Sequence, residues 1–339
     1  MPIDLEASTV TRPSQAMRHA MATAKWATTS WGTTRPWLPR GIGAALAGFE
    51  AALFVPSGTM ASRIAIAVHT KPGTRSSSRG EIHVAQHEMG AMAALSGTMP
   101  RIVGSARGIP SPDAVALAAR PDASYFPRTA LLCLENTHNG VGGAVMDLAA
   151  KDALLAVAAR HRMAVHLDGA RIWNAAAALG ATGLELARGF ASVMFCLSKG
   201  LGAPVGSLLL SDRAFISEAR RARKRFGGGM RQAGILAAAG LLALENRDRL
   251  VEDHRRARLL AEGISPLPRL EVTYGGTNIV MVDVTGAGLT PTGAAEGLAR
   301  RGVLALPFDE THVRLVTHLD VSDADVERAI AVFVDLLAA

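Results

Sequence analysis

Asp168 and Lys199 are the residues whose types and positions most directly suggest chemistry. Each follows a short apolar run that is typical of a buried strand, at 164–167 and 192–197. Charged side chains are seldom buried without a partner. Pyridoxal phosphate (PLP) needs such a pair, because a lysine binds the cofactor covalently and an acid keeps its pyridine nitrogen protonated. A buried salt bridge, or a lysine that simply begins a loop, also explains the two residues, and these alternatives stay open here.

Two segments have the composition of a phosphate site. Ser57, Gly58 and Thr59 lie between an apolar run and a helix-like stretch, where backbone N–H groups and a hydroxyl can bind a phosphate. The same three residues also suit an ordinary helix N-terminus. The glycines at 227–229 precede another helix and are flanked by Lys224 and Arg231, which suits either a phosphate or a solvated basic loop.

Three further side chains are candidates for contact with a substrate. His83 and His138 could transfer protons, although a single histidine is more often a surface or core residue. Arg314 lies within a run of Val and Leu, and a buried arginine requires an anion such as a substrate carboxylate.

The elements that position these residues alternate between strands and helices. Apolar runs at 51–55, 130–134, 164–167, 192–197 and 206–210 predict buried parallel strands, and helices are predicted at 152–162, 182–188 and 232–246. This alternation predicts an α/β fold with a mostly parallel sheet covered on both faces. Ligands bind beyond the carboxyl ends of such strands, which is where the candidate residues lie.

The last 90 or so residues differ in pattern from the rest. Two strand-like runs, 277–284 and 313–317, are followed by a helix that Ser322 and Asp325 cap. We therefore predict an N-terminal arm at 1–45, a large domain at 46–248 and a small C-terminal α+β domain at 249–339.

Composition and charge exclude several classes of protein. The 339 residues carry a net charge of +7 with scattered basic residues and no zinc-finger or aromatic nucleic-acid motif, so we expect no nucleic-acid partner. We expect no metal site and no membrane span, since no apolar run reaches the length of one. Cys133 and Cys196 lie in apolar runs and predict buried thiols in a reducing cytoplasm.

Six segments together resemble the low-specificity L-threonine aldolases, which are PLP enzymes of fold type I in the β-eliminating lyase group. They are 54–59 (FVPSGT), 134–139 (LENTHN), 166–171 (HLDGAR), 196–206 (CLSKGLGAPVG), 227–234 (GGGMRQAG) and 314–320 (RLVTHLD). The resemblance extends over nearly the whole chain. It implies aldol cleavage of L-threonine, L-allo-threonine and related β-hydroxy-α-amino acids to glycine and an aldehyde, and it implies a homo-oligomer, usually a tetramer.

The resemblance also implies a role for each candidate residue. Lys199 would bind PLP covalently, Asp168 would hold its pyridine nitrogen and His83 would stack on its ring. Ser57, Gly58 and Thr59 would hold the phosphate, together with Lys224 and Arg231 from a neighbouring subunit. Arg171 and Arg314 would bind the substrate carboxylate, and His138 would lie near the β-hydroxyl.

Three segments depart from the family pattern. The family's N-terminal Ser that touches the carboxylate is Ala7 here, and Ser8 substitutes only if the arm shifts. The family's acidic segment of the type VGDDVxGDDPTV corresponds to 26–37 (WATTSWGTTRPW). The family's GDEVVV-like turn and strand corresponds to 73–78 (GTRSSS).

Both of the larger departures have one explanation. A GC-rich coding sequence for VGDDVVGDDPTV, read one base later, encodes WATTSWGTTRPW, and the same shift turns GDEVVV into GTRSSS. We therefore hypothesise two compensated frame shifts, which also explain the excess of positive charge. Resequencing of the gene tests the hypothesis, and an unambiguous read without nearby insertions or deletions would exclude sequencing error.

The chain as written is expected to be less stable and weakly active. Ser76, Ser77 and Ser78 form a poor central strand, and Gly41 and Gly43 interrupt an expected helix at about 1 kcal/mol each. Two alternatives to a threonine aldolase therefore stay open: a degenerate homologue without catalysis, and another PLP-dependent lyase or transaminase on the same fold.

Overall fold

The computed structural model describes residues 2–24, 39–79, 82–105, 108–121 and 123–338. The thirteen strands in these ranges are β1 Ile3–Asp4, β2 Ala51–Val55, β3 Arg75–Arg79, β4 Met99–Val103, β5 Thr129–Glu135, β6 Ala164–Asp168, β7 Ser192–Cys196, β8 Ser207–Ser211, β9 Glu271–Tyr274, β10 Ile279–Asp283, β11 Val303–Leu304, β12 Leu306–Pro307 and β13 His312–Val316.

The fourteen helices in the same ranges are α1 Gln15–Thr23, α2 Pro39–Ala47, α3 Gly58–His69, α4 His83–Gln86, α5 Ala91–Ser96, α6 Pro112–Ala118, α7 Leu148–Arg160, α8 Ile172–Leu179, α9 Gly183–Ala187, α10 Arg213–Arg225, α11 Gly234–Glu245, α12 Leu250–Ile264, α13 Pro291–Arg300 and α14 Asp323–Leu337.

The larger sheet has seven strands in the order β2-β8-β7-β6-β5-β3-β4. All neighbouring strands from β7 to β4 are parallel, whereas β8 is antiparallel to both β7 and β2. The five strands predicted from apolar runs are all present, and the α/β fold with a mostly parallel sheet is confirmed. The prediction that the run at 206–210 forms a parallel strand is wrong, because β8 follows β7 after a short connection and returns antiparallel to it.

Alternating side chains of the central strands pack into two cores, one on each face of the sheet. In β7, Val193 and Phe195 belong to one core, while Met194 and Cys196 belong to the other. Because both faces are buried, these strands must be apolar throughout, as parallel strands under helices usually are.

Strand β3 is the exception within this sheet. It pairs with β4 on one side and β5 on the other, although its centre consists of Ser76, Ser77 and Ser78. All three serines are fully buried, and the Oγ atoms of Ser77 and Ser78 have no hydrogen-bond partner among the described residues. Backbone pairing thus forms the strand, while its side chains contribute little apolar burial. The other atypical segment, 26–37, lies outside the described residues.

One expectation about the N-terminal region is wrong. Helix α2 runs through both Gly41 and Gly43 without interruption. A Cβ atom on Gly43 would lie 2.5 Å from Leu208 Cδ1, so the helix backbone packs directly against β8. The close approach offsets the low helix propensity of this glycine.

The C-terminal elements form a second core around the antiparallel sheet β12-β13-β10-β9. Ile3 and Leu5 of the N-terminus are buried in this second core, and β1 pairs with β11. Ser322 and Asp325 form the expected capping box at the start of α14. Among the described residues, no helix has both the length and the apolar composition needed to cross a membrane.

Candidate active site

A cavity of about 200 Å³ lies at the carboxyl ends of the parallel strands. Its walls come from the loops after β2, β5, β6 and β7, together with the first turn of α3. The polar residues that line it are Thr9, Ser57, Thr59, His83, Glu135, Asn139, Asp168, Ser198 and Lys199. The topology therefore brings most of the predicted site residues together.

Asp168 and Lys199 enter this cavity from neighbouring strands. Asp168 is the last residue of β6, it is buried, and its Oδ1 accepts a hydrogen bond from the backbone N–H of Ala170 at 3.0 Å. Lys199 follows β7, and its carbonyl oxygen accepts the Thr11 hydroxyl at 3.1 Å. A buried acid and an amine thus border the same space.

The first turn of α3 forms another wall. Ser57 is the N-cap of this twelve-residue helix, and its Oγ accepts the backbone N–H of Met60 at 3.2 Å. A Cβ atom on Gly58 would lie 2.8 Å from Met194 Cε and 3.0 Å from Cys196 Sγ, so a side chain fits there only if these neighbours move. Backbone N–H groups at the helix N-terminus are left to bind an anion in the cavity.

His83 is held by two carboxylates that sequence reasoning did not single out. Its Nδ1 lies 3.0 Å from Glu88 Oε1, and its backbone N–H donates to Glu135 Oε2 at 2.8 Å. The hydrogen bond to Glu88 raises the pKa of His83 above its ordinary value, against the opposing effect of burial. The spacing of five residues between His83 and Glu88 was the only sequence signal for this contact.

Glu135 joins the two sides of the cavity. Its Oε1 accepts the backbone N–H of Asn139 at 2.8 Å, so one carboxyl group ties His83 to the turn after β5. Burial, and then the nearby charge of Asp168, raises the pKa of Glu135 to about 7. The residue belongs to the LENTHN segment, but its polar type alone did not predict this bridging position.

Arg171 and Arg314 converge beside the cavity, although they come from different domains of the predicted arrangement. Both are buried, and their Nη1 atoms each donate to Asn139 Oδ1 at 3.0 Å. Arg171 Nη2 also donates to Ser8 Oγ at 3.3 Å, so the hydroxyl of Ser8 does reach this pair. Burial, and then the charge of Arg171, lowers the pKa of Arg314 to about 9.

Three predicted site residues lie elsewhere in this chain. His138 is buried and lines a separate small cavity with Glu135 and Met146, and it is not among the residues that line the cavity of Lys199. Lys224 and Arg231 are exposed, and neither lines the cavity of its own chain as far as the described residues go. Their expected role is in a neighbouring subunit, which a single chain does not test.

Comparison with known proteins assigns the family. The profile of the family described as "Beta-eliminating lyase" matches residues 4–287, which is most of the chain. The chain belongs to the beta-eliminating lyase family.

Relatives within this family match over almost the full length. A "Probable low-specificity L-threonine aldolase 2" of Arabidopsis thaliana is 39% identical and covers 98% of this chain and 96% of the relative. The "Low specificity L-threonine aldolase" of Escherichia coli K12 is 41% identical, covering 94% and 95%. A solved threonine aldolase of Leishmania major superposes with a TM-score of 0.84 over 99% of this chain and 100% of the other at 18% identity, which shows the shared fold.

The residues of this beta-eliminating lyase fit PLP, the cofactor of its family. The donor set contains an amine at Lys199, a buried acid at Asp168 and the helix N-terminus that begins at Gly58. Those groups match the aldehyde, the pyridine nitrogen and the phosphate of the cofactor, respectively. Within the described ranges, no group of three or more His, Cys, Asp or Glu side chains is arranged to hold a metal ion.

Proposed function

We propose that this protein is a PLP-dependent aldolase that cleaves L-threonine, L-allo-threonine and related β-hydroxy-α-amino acids to glycine and an aldehyde. The observation that carries the proposal is the placement of two converging guanidinium groups beside the Lys199–Asp168 cavity. An amine-binding centre next to a carboxylate-binding pair is what an α-amino acid requires. Full-length similarity to proteins named threonine aldolase supports the same reaction.

Each residue has a proposed part in this chemistry. When PLP is bound, its ring accepts the electrons of the bond that breaks at the substrate Cα. Lys199 would hold the cofactor, Asp168 would keep its nitrogen protonated and the α3 N-terminus with Ser57, Gly58 and Thr59 would bind its phosphate. His83, with its ring in the cavity wall, would lie against the cofactor ring.

Substrate orientation would come from Arg171 and Arg314. Two buried guanidiniums that share one acceptor can hold a carboxylate in a single plane, which fixes the Cα–Cβ bond relative to the cofactor. Proton removal from the β-hydroxyl would fall to His83, which borders the cavity, or to a group reaching the cavity from another subunit. His138 would contribute only if its turn moves.

The test is direct. Purified protein reconstituted with PLP should show the visible absorbance of the bound cofactor and should release glycine and acetaldehyde from L-threonine and L-allo-threonine. The Lys199→Ala variant should lose both signals, whereas its folding by circular dichroism should persist. Ammonia and a keto acid as products would instead identify another PLP lyase or a transaminase. Absence of cofactor absorbance would favour a degenerate homologue.

We further propose a homo-oligomer, a dimer or tetramer, whose subunits share their sites. Lys199 is the one Lys or Arg side chain among the described residues that line the cavity, whereas Lys224 and Arg231 are exposed on the same chain. A neighbouring subunit that supplies them would provide the positive charge that a phosphate dianion needs.

Two experiments test the shared sites. Light scattering measures the number of subunits in the oligomer. Mixing the inactive Lys199→Ala and Lys224→Ala variants should restore part of the activity only if sites are shared.

A cytoplasmic location is consistent with the two cysteines, Cys133 and Cys196. Both are free and buried rather than joined in a disulfide. Fractionation of the source cells tests this location.

A further inference from the structure

Asn139 occupies the point where the two arginines converge. Its Oδ1 accepts hydrogen bonds from Arg171 Nη1 and Arg314 Nη1, each at 3.0 Å. An amide oxygen has two lone pairs, so these two donors use its full accepting capacity. The amide oxygen therefore lies where one oxygen of a bound carboxylate would have to lie.

The acceptors at the convergence point are all neutral. Besides Asn139 Oδ1, they are Ser8 Oγ for Arg171 and the backbone oxygen of Glu6 for Arg314, at 3.3 Å and 3.1 Å. Within the described residues, neither arginine forms an ion pair with a carboxylate at hydrogen-bond distance. A carboxylate adds Coulomb attraction to both guanidiniums and can accept from each of them with its own oxygen, so it would bind this pair more strongly than the amide does.

The backbone of Asn139 is held independently of its side chain. Glu135 Oε1 holds the backbone N–H of Asn139 at 2.8 Å, and the residue begins a short 3-10 turn at Asn139–Val141. Among the described residues, the side chain of Asn139 makes no hydrogen bond other than those to the two arginines. Rotation about its side-chain torsions can withdraw the amide oxygen without any movement of the turn.

We propose that Asn139 occupies the carboxylate position of the empty site and lowers the affinity for substrate, because a free α-carboxylate must displace its amide oxygen. The proposal rests on the proposed function, because it assumes that an amino acid is the substrate. A charged carboxylate gains enough in binding to both guanidiniums to displace the amide. Every ligand of this position must displace the same oxygen, so removal of that oxygen should strengthen substrate binding.

Two substitutions separate this role from simple support of the arginines. Asn139→Asp places a permanent carboxylate at the convergence point and should raise KM for L-threonine by about tenfold or more, with a much smaller change in kcat. Asn139→Ala removes the competing oxygen and should lower KM for L-threonine by about threefold or more. L-threoninamide must displace the same oxygen, so its KM should fall by a similar factor. Gln15→Glu, at an exposed position at the start of α1, is the control for the same change from an amide to an acid and should resemble the wild type.

The opposite pattern would overturn the proposal. If Asn139→Ala raises KM for L-threonine as much as Asn139→Asp does, Asn139 merely supports the arginines. A melting-temperature titration with glycine and with acetate keeps this test independent of catalysis. Both carboxylates should stabilise the wild type and the alanine variant but not the aspartate variant, even if no aldehyde is ever released. Failure of the proposed function would instead appear as wild-type protein that binds glycine but cleaves no substrate. Equal stabilisation of all three proteins would also contradict the role of Asn139.

Discussion

Glu88 Oε1 lies 3.0 Å from His83 Nδ1, within the wall of the candidate active site. The other oxygen of the same carboxylate forms an ion pair with Arg63, which is also buried. Glu88 therefore holds the His83 ring in place, and Arg63 in turn pairs with Glu88.

The first prediction concerns Glu88→Gln. Loss of the carboxylate should lower the pKa of His83, because the hydrogen bond to Glu88 is the main cause of its elevation. It should also cost about 3–5 kcal/mol of unfolding free energy, because Arg63 is left buried without its partner charge. NMR titration of the histidine ring and urea denaturation measure the two effects.

The pH dependence of this substitution has a definite sign. A histidine with a raised folded pKa adds stability below its unfolded pKa of 6.5, and this stability is lost as pH rises through the folded pKa. The destabilisation by Glu88→Gln should therefore be larger at pH 6 than at pH 9. The His83→Asn control, which leaves the ion pair intact, should cost less. An unchanged His83 pKa in Glu88→Gln would contradict the assignment.

Strand β3 offers a gain in stability. The buried Oγ atoms of Ser77 and Ser78 have no partners among the described residues, and an unsatisfied buried polar group costs about 1–3 kcal/mol. Ser77→Val and Ser78→Val should each raise the unfolding free energy by about 1–2 kcal/mol, measured by urea denaturation. Ser76→Val is the matched control, because Ser76 Oγ lies 3.6 Å from Cys133 Sγ and loses that contact. Equal or smaller gains at Ser77 and Ser78 would refute the explanation.

Acid should destabilise the protein through three buried histidines. Burial lowers the pKa of His69 to about 4, of His166 to about 3 and of His254 to about 4. Between pH 6.5 and 4 the unfolded chain binds protons that the folded chain excludes, so each residue lowers stability by up to about 1.4 kcal/mol per pH unit. The raised pKa values of His83 and Glu135 oppose this effect, because the folded chain binds these two protons more tightly than the unfolded chain does. The three histidines outweigh these two residues.

The measurement is the unfolding free energy at pH 7 and at pH 5. It should fall by about 2 kcal/mol. His166→Asn should make the fall shallower, because asparagine keeps a polar partner for Ser192 Oγ, 2.8 Å from the histidine, without titrating. A stability that is flat over this range would show that the unfolded chain gains no protons at these positions.

Arg314 should govern substrate affinity. Arg314→Lys keeps a positive charge but replaces two donor nitrogens, Nη1 and Nη2, with a single Nζ. One of the contacts to Asn139 Oδ1 and Glu6 O must therefore be lost. KM for L-threonine should rise about 30-fold or more, which corresponds to the 2–5 kcal/mol measured when buried charge pairs lose a partner. Steady-state kinetics provide the comparison, with Arg301→Lys on the distant α13–β11 turn as control. A KM within twofold of the wild type would remove Arg314 from the carboxylate site.

The frame-shift hypothesis has its own test in the protein. A version with 26–37 and 74–78 restored to the family pattern should unfold at higher urea concentration and should have higher kcat/KM than the chain as written. Improved stability without improved activity would show that only β3, and not 26–37, limits the protein.

Local sequence pattern predicted the strands whose side chains are apolar on both faces, which are β2, β5, β6, β7 and β8. It did not predict β3, because three serines have no apolar period, and backbone pairing with β4 and β5 supplies the strand instead. The pattern also overestimated the loss of helix stability at Gly43. The close contact of Gly43 with Leu208 exists only after α2 packs on the sheet.

The sequence by itself determined the α/β class, the family and the chemical types at the site, because apolar period and motif order are local properties of the chain. Only the tertiary structure decided that Glu88 and Glu135 hold His83, that His138 turns into a separate cavity, and that Arg171 and Arg314 share Asn139. These contacts join residues up to 175 positions apart. Their geometry depends on how strands end side by side at one edge of the sheet, and no local pattern in the chain encodes that distance.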